Sequence, residues 1–246
     1  MPDLTDSPAR PTMLLRDADV AYLSWFIIRA HRDLTGSSGT VLLTEAIEHA
    51  VEAHRGQTRQ VSGGSPVPYI VHPLRNTARL LTFGVTDLDV LIATLLHDTV
   101  EDVPGPLVIA LTGGSDVSPL DALRTTYGFE VAGIVEAVTN PGEHSLLPRP
   151  ERNVAYVAHV TGEVRADVRV ALVKTTDVLD NAGGLTALVS VNAPMAKRLA
   201  AKYRPLIDVL AEILDGNDVA AYTGDADLLR DELLAVGVEL DSILAA

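Results

Sequence analysis

The stretch LLHDTVEDVP, residues 95–104, sets four titratable groups at the end of an apolar run. His97 and Asp98 are adjacent, and such a pair offers one nitrogen and one oxygen ligand to a divalent metal. On a helix, Glu101 lies one turn after His97 and Asp102 one turn after Asp98. Burying so many carboxylates without a cation is costly, so the pattern reads either as a metal site or as a solvated acidic helix end. Taken alone, the dipeptide favours the solvated end. A second segment, PYIVHP (68–73), puts His72 just before a proline suited to a first helical turn. By itself that histidine reads as a core or capping residue. In a third, VALVKTTDVLDNAGG (170–184), Val170, Lys174, Asp177 and Asn181 fall on one helix face. Alone it reads as an amphipathic surface stripe with a local ion pair. Together, His72, His97, Asp98 and Asp177 supply two nitrogens and two carboxylates, a set that suits Mn2+, Fe2+ or Zn2+.

These side chains need rigid elements to hold them, and helix-period patterns dominate the chain. Residues 45–55 carry Ile47, Ala50, Val51 and His54 on one face, with Thr44 as N-cap and Gly56 as stop. Residues 73–83 begin at Pro73 and end at Gly84. Residues 87–103 carry one stripe, Leu88, Leu91, Ile92, Leu95 and Leu96, and the residue before Pro104 closes that helix. Residues 105–118, rich in Gly, Pro and Ser, read as an irregular insertion. Helical patterns resume over 119–139, 150–164, 167–182, 192–214 and 225–245, and sustained strand alternation is absent. The expectation is an all-α protein: a loose tail over 1–15, one compact helical domain over 16–215, and a helical extension over 216–246 packed on the core or on a partner subunit. The stripe Leu228, Leu229, Leu233, Leu234 and Val236 reads as a packing face compatible with a homodimer. Trp25 and Phe26 read as core, His54 as structural, and His49, His144 and His159 as surface or packing residues. Arg149 and Arg152 read as a solvated helix start.

Composition narrows the function. With 246 residues, 47% of them hydrophobic, the chain is globular. A formal charge of -14 disfavours nucleic acid and anionic membranes as partners. An anionic substrate would then need local positive charge, from a metal or from clustered Arg and Lys. The absence of cysteine excludes thiolate zinc sites and disulfides. The apolar stretch Val20 to Ile28 is short and flanked by Asp17, Asp19 and Arg29, so it is neither a signal peptide nor a membrane span, and cytoplasm is the default location.

Read in order, the segments resemble a known family. Residues 50–102 run A-x-x-A-H-R-G-Q-x-R, S-G, P-Y-I-V-H-P and L-L-H-D-T-V-E-D. This resembles the HD hydrolase domain of the RelA/SpoT family, which degrades the alarmones ppGpp and pppGpp. YGFEVAGIVEAVTN (127–140), VKTTDVLDN (173–181) and KYRPLIDVL (202–210) continue the likeness, which spans roughly 44–212. No synthetase domain follows, so the organisation resembles the single-domain small alarmone hydrolases. The resemblance implies His72, His97, Asp98 and Asp177 as metal ligands, usually for Mn2+, with other divalent ions admissible. It implies that Glu101 and Asp102 position and activate the attacking water. Arg59 would lie against the guanine, Asn181 would contact the nucleotide, and Lys174 would support carboxylates or phosphates. The implied reaction releases pyrophosphate from the 3′ position and leaves GDP or GTP.

Three departures stand out. The family's R-K-S-G-x-P-Y becomes a longer loop in which Gln60 follows Arg59. The link over 103–120 is longer than usual and could form a lid. Val178 follows Asp177 where the family commonly has a cation. The metal set is intact, so the alternatives are an HD phosphohydrolase for another nucleotide (a nucleoside monophosphate, NADPH or a modified nucleotide) or a non-catalytic nucleotide sensor.

Overall fold

Polar caps and left-handed glycines cut the chain into helices. The computed structural model describes residues 11–59 and 65–246, so most of the expected N-terminal tail and Gln60 lie outside the described residues. Eleven α-helices and one pair of two-residue strands are found among the described residues, an all-α architecture as the periodicity predicts. The centre is formed by α3 (Val71–Thr82), α4 (Leu88–Leu96) and α9 (Val168–Ala182), which pack on one another. Val90 to Leu96 and Val170 to Leu179 are buried without a gap, which marks helices enclosed on every side. Around them, α1 (Val20–Thr35) covers α3, α2 (Thr40–Ala53) covers α4, and α7 (Pro119–Val138) packs on α4 and α9. Behind α9 lie α8 (Arg149–Ala166) and α10 (Leu185–Leu214), and α11 (Ala226–Ala245) runs along α10. Among the described residues no helix is long and apolar enough to cross a membrane.

Several boundaries differ from the sequence reading, each for a local reason. The 87–103 stripe is not one helix. It stops at Leu96, turns through His97 and Asp98, and resumes as α5 (Thr99–Asp102). Thr99 Oγ1 donates to the Leu96 carbonyl at 2.6 Å, which diverts the helical ladder at the turn. Residues 105–118 are not an irregular insertion throughout. Pro104 opens α6 (Pro104–Thr112), which packs against α2 and α7 and buries Leu107 completely, and Gly113 (φ 72°) ends it. In α2, Thr44 is an interior residue whose hydroxyl donates to the Thr40 carbonyl, and the helix starts a turn earlier than its periodicity suggests. The 192–214 pattern is preceded by a helical turn from Leu185, separated from it at Asn192 (φ -154°), whose side chain caps the Met195 N–H. Trp25 is 49% exposed, because the buried stripe of α1 runs through Leu23, Phe26, Ile27 and Ala30 and leaves it to one side. On α11, Leu229, Leu233 and Val236 are buried, while Leu228 and Leu234 stay exposed.

Because α6 is anchored through Leu107, Leu107→Ala is expected to destabilise the protein by about 2–5 kcal/mol. Thermal melting checks this. A variant that melts with the wild type would mean that α6 is a detached flap.

Candidate metal centre and active site

Three helices aim four side chains at one point. His72 comes from the first turn of α3, His97 and Asp98 from the turn closing α4, and Asp177 from the middle of α9. One ligand atom each of His72, His97 and Asp98 lie within 4.8 Å of one another. His72 Nε2 is 3.1 Å from Asp177 Oδ1 and 3.6 Å from Asp98 Oδ2. His97 Nε2 is 3.0 Å from Asp98 Oδ2 and 3.7 Å from Asp177 Oδ1.

Both imidazoles are fixed from behind. His97 Nδ1 donates to the Thr94 carbonyl at 2.8 Å, so its Nε2 faces the cluster, buried and without a hydrogen-bond partner among the described residues. His72 Nδ1 donates to Asp180 Oδ2 at 2.6 Å. Two imidazole lone pairs facing two carboxylates form a repulsive set unless a cation lies between them, and the two-nitrogen, two-oxygen donor set fits a divalent ion. Without a metal, protons take that place. Burial disfavours the charged form of His97, yet Asp98 and Asp177 outweigh it and push its pKa up to about 10. His72 is also raised, because Asp177 and Asp180 outweigh the same burial. Burial pushes Asp98 and Asp177 upward, but His97 beside the first and Lys174 beside the second hold both below the ordinary carboxylate range.

The α9 face works as its spacing suggests. Lys174 Nζ donates to Asp177 Oδ2 at 3.0 Å, and Asn181 Nδ2 donates to Asp177 Oδ1 at 2.6 Å. Glu101 and Asp102 stand apart from the four. The Asn140 N–H and side-chain amide, just past the end of α7, both donate to Glu101. Asp102 accepts from Gln57 Nε2 at 3.0 Å, and Gln57 Oε1 in turn accepts from His54 Nδ1 at 2.6 Å. Arg59, on β1 (Thr58–Arg59), pairs antiparallel with β2 (Val67–Pro68). Its guanidinium donates to Asp180 at 2.8 Å and to Asn181 at 3.2 Å.

Sequence reasoning passes over three participants. Asp180 is the most connected: His72, Arg59 and both Nε and Nη2 of Arg75 donate to it, and its side chain is 6% exposed. Burial raises its pKa, but His72 and Arg75 outweigh that and hold it far below the ordinary range. The available signal was DVLDN, where Asp180 follows Asp177 by three residues on a helix. Arg75 is buried on α3 and supplies a cation that the neighbour of Asp177, the core residue Val178, does not. Tyr69 donates its hydroxyl to Asp98 Oδ2 at 2.6 Å, beside the His54 ring, and burial together with Asp98 raises its pKa.

Residues 46–208 match the HD domain family. Among similar proteins is the guanosine-3′,5′-bis(diphosphate) 3′-pyrophosphohydrolase MESH1 of Homo sapiens, 36% identical over 148 residues, covering 59% of this chain and 70% of that protein. MESH1 of Danio rerio is 34% identical over 146 residues, covering 58% of this chain and 69% of that one. A guanosine-3′,5′-bis(diphosphate) 3′-pyrophosphohydrolase of Spiroplasma citri is 32% identical over 139 residues, 56% of this chain but 16% of that longer protein.

Two measurements follow. A carboxylate behind a ligating histidine fixes its tautomer and raises its basicity, so Asp180→Asn is expected to weaken Mn2+ affinity by about 10–100-fold. Titration calorimetry reads it directly, and an unchanged affinity would remove Asp180 from the site. The His97 pKa is pushed up to about 10 and that of His72 is also raised, so His97 is protonated in the metal-free protein at neutral pH and must lose that proton to bind a metal. Mn2+ binding at pH 7 is therefore expected to release at least one proton. Calorimetry in buffers of different ionisation enthalpy counts them, and zero release would exclude the histidines as ligands.

Proposed function

The chain belongs to the HD-domain family, and on that footing we propose that it hydrolyses the 3′-pyrophosphate of guanosine tetra- and pentaphosphate, releasing pyrophosphate and leaving GDP or GTP. The observation that carries the reading is the convergence of His72, His97, Asp98 and Asp177, with Glu101 and Asp102 one turn beyond. The similar animal proteins are named for this reaction. His72, His97, Asp98 and Asp177 would hold the ion, for which the reading takes Mn2+. When bound, such an ion polarises a phosphoryl oxygen and makes water a better nucleophile at neutral pH.

The chain's own residues do the rest. Asn140 and Gln57 hold the Glu101 and Asp102 carboxylates at the lip of the cluster, where they orient a water and accept its proton. The water oxygen bonds to the phosphorus carried on the ribose 3′ oxygen. The bond from that phosphorus to O3′ breaks, O3′ takes up a proton, and pyrophosphate leaves. Lys174 offsets the charge of Asp177 so that the site is not wholly anionic toward its substrate. Arg59 and Asn181, already hydrogen-bonded to each other, form the nucleoside side of the site. The reaction is set in the cytoplasm, where free nucleotides are available.

The test is a nucleotide panel with Mn2+, covering ppGpp, pppGpp, nucleoside monophosphates and NADPH. Release of pyrophosphate from ppGpp is expected, with kcat lowered about 10²–10⁴-fold in Glu101→Gln. Inert ppGpp beside turnover of another nucleotide would assign the chain to a different HD substrate. Tight ppGpp binding without turnover would make it a sensor.

A further inference from the structure

Next to the metal cluster lies a cavity of about 450 Å³, walled by Glu101, Asn140, His144, Arg152, Tyr156 and Lys202. Two of its walls carry cations, in a chain whose net charge is -14. Arg152 donates to the Ser145 and Leu147 carbonyls through Nη2 and so fixes the segment that forms one rim. Lys202 is different. Its ammonium sits 4.3 Å from the centroid of the Tyr156 ring and 5.0 Å from that of Tyr203. Among the described residues no carboxylate lies within 4 Å of it and it makes no hydrogen bond, whereas Arg59, Arg75 and Lys174 each bind an aspartate. Lys174 Nζ lies 5.6 Å from the centroid of the same Tyr156 ring and touches Asp177, so that ring links the metal cluster to Lys202.

We propose that this cavity receives the distal phosphate of the 3′-pyrophosphoryl group, and that Lys202 is the cation that binds it. The inference rests on the reaction proposed above and names the residue that recognises the part of the substrate leaving with the product. A partly buried ammonium with no anion beside it is a cost to the fold. Burial lowers the pKa of Lys202, and the more distant Asp177, Glu101 and Asp98 counter it only in part. The neighbouring Glu101 would repel a phosphate, and a cation on the facing wall offsets that repulsion. Aromatic rings on both sides hold the ammonium in place without neutralising it.

The experiment uses the full-length, Mn2+-loaded protein with Lys202→Met and Lys202→Arg. Four quantities are read: KM and kcat for ppGpp, the inhibition constant of inorganic pyrophosphate, and the melting temperature. In Lys202→Met, KM and the pyrophosphate constant are expected to rise together by about tenfold, the worth of one charge-assisted contact. The value of kcat should stay within about threefold, since the contact is made alike in ground and transition states. Melting should be unchanged or higher, because an uncompensated charge has been removed. Lys202→Arg should recover most of the affinity. The proposal is overturned if KM and the pyrophosphate constant do not move. It is also overturned if melting falls and Arg fails to restore binding, which would make the lysine a structural clamp between tyrosines. If wild-type protein leaves ppGpp intact but binds pyrophosphate in a Lys202-dependent way, the pocket stands and the alarmone reading fails. If ppGpp turns over with kinetics indifferent to Lys202, the alarmone reading stands and the pocket fails.

Discussion

A carboxylate taken out of water must be answered by a donor or a cation, and this site is organised around three of them. Asp98, Asp177 and Asp180 sit where α3, α4 and α9 meet, and each is answered differently. Asp180 is saturated by Arg59, Arg75 and His72. Asp177 is half answered, by Lys174 and Asn181, and turns an oxygen toward the two imidazoles. Among the described residues Asp98 has Tyr69 and otherwise those imidazoles. The three carboxylates thus differ in how far they are answered, and the two that face the imidazoles are the ones whose remaining charge a divalent ion would meet. The break between α4 and α5 belongs to the same logic. His97 and Asp98 keep near-helical backbone angles through that turn, which leaves the two side chains adjacent at the end of α4.

Much of this was legible in the sequence. The 3.6-residue period of 119–139, 167–182 and 225–245 is strong, and those helices lie where it puts them. The α9 face could be read directly, because Lys174, Asp177 and Asn181 are neighbours along one helix. What stayed hidden depends on contacts across the chain. Arg75 looks like a surface arginine until α9 packs against α3 and brings Asp180 to it, 105 residues away. Tyr69 and Asp98, or Gln57 and Asp102, are likewise joined only by tertiary packing. The Pro104–Thr112 segment misled for another reason. Its prolines and glycine speak against helix, yet a proline at the first helical position is harmless and Leu107 finds a pocket in the core.

The four converging side chains and the Glu101 carboxylate come from separate helices. The metal-facing side chains are on the buried central trio, where packing leaves little room to move. Glu101 is on a single helical turn and is steadied by Asn140, which follows the long helix α7. That helix is bent at Gly128 (φ 91°), a conformation open to glycine, and the bend separates the part against α6 from the part that ends beside Glu101. The Glu101 carboxylate therefore takes its position from a different part of the fold than the four converging side chains do.

The short hairpin has a consequence for how such a protein diversifies. Its two strands pair Thr58 with Pro68 and Arg59 with Val67, and both flanks are then tied down, Arg59 by Asp180 and Tyr69 by Asp98. The two anchors are held by Asp180 of α9 and by Asp98 of the turn after α4. With Arg59 assigned to the nucleoside in the proposed reading, substitutions beyond it in the sequence could trade one base or sugar for another while the four clustered side chains, which come from other elements, are inherited unaltered.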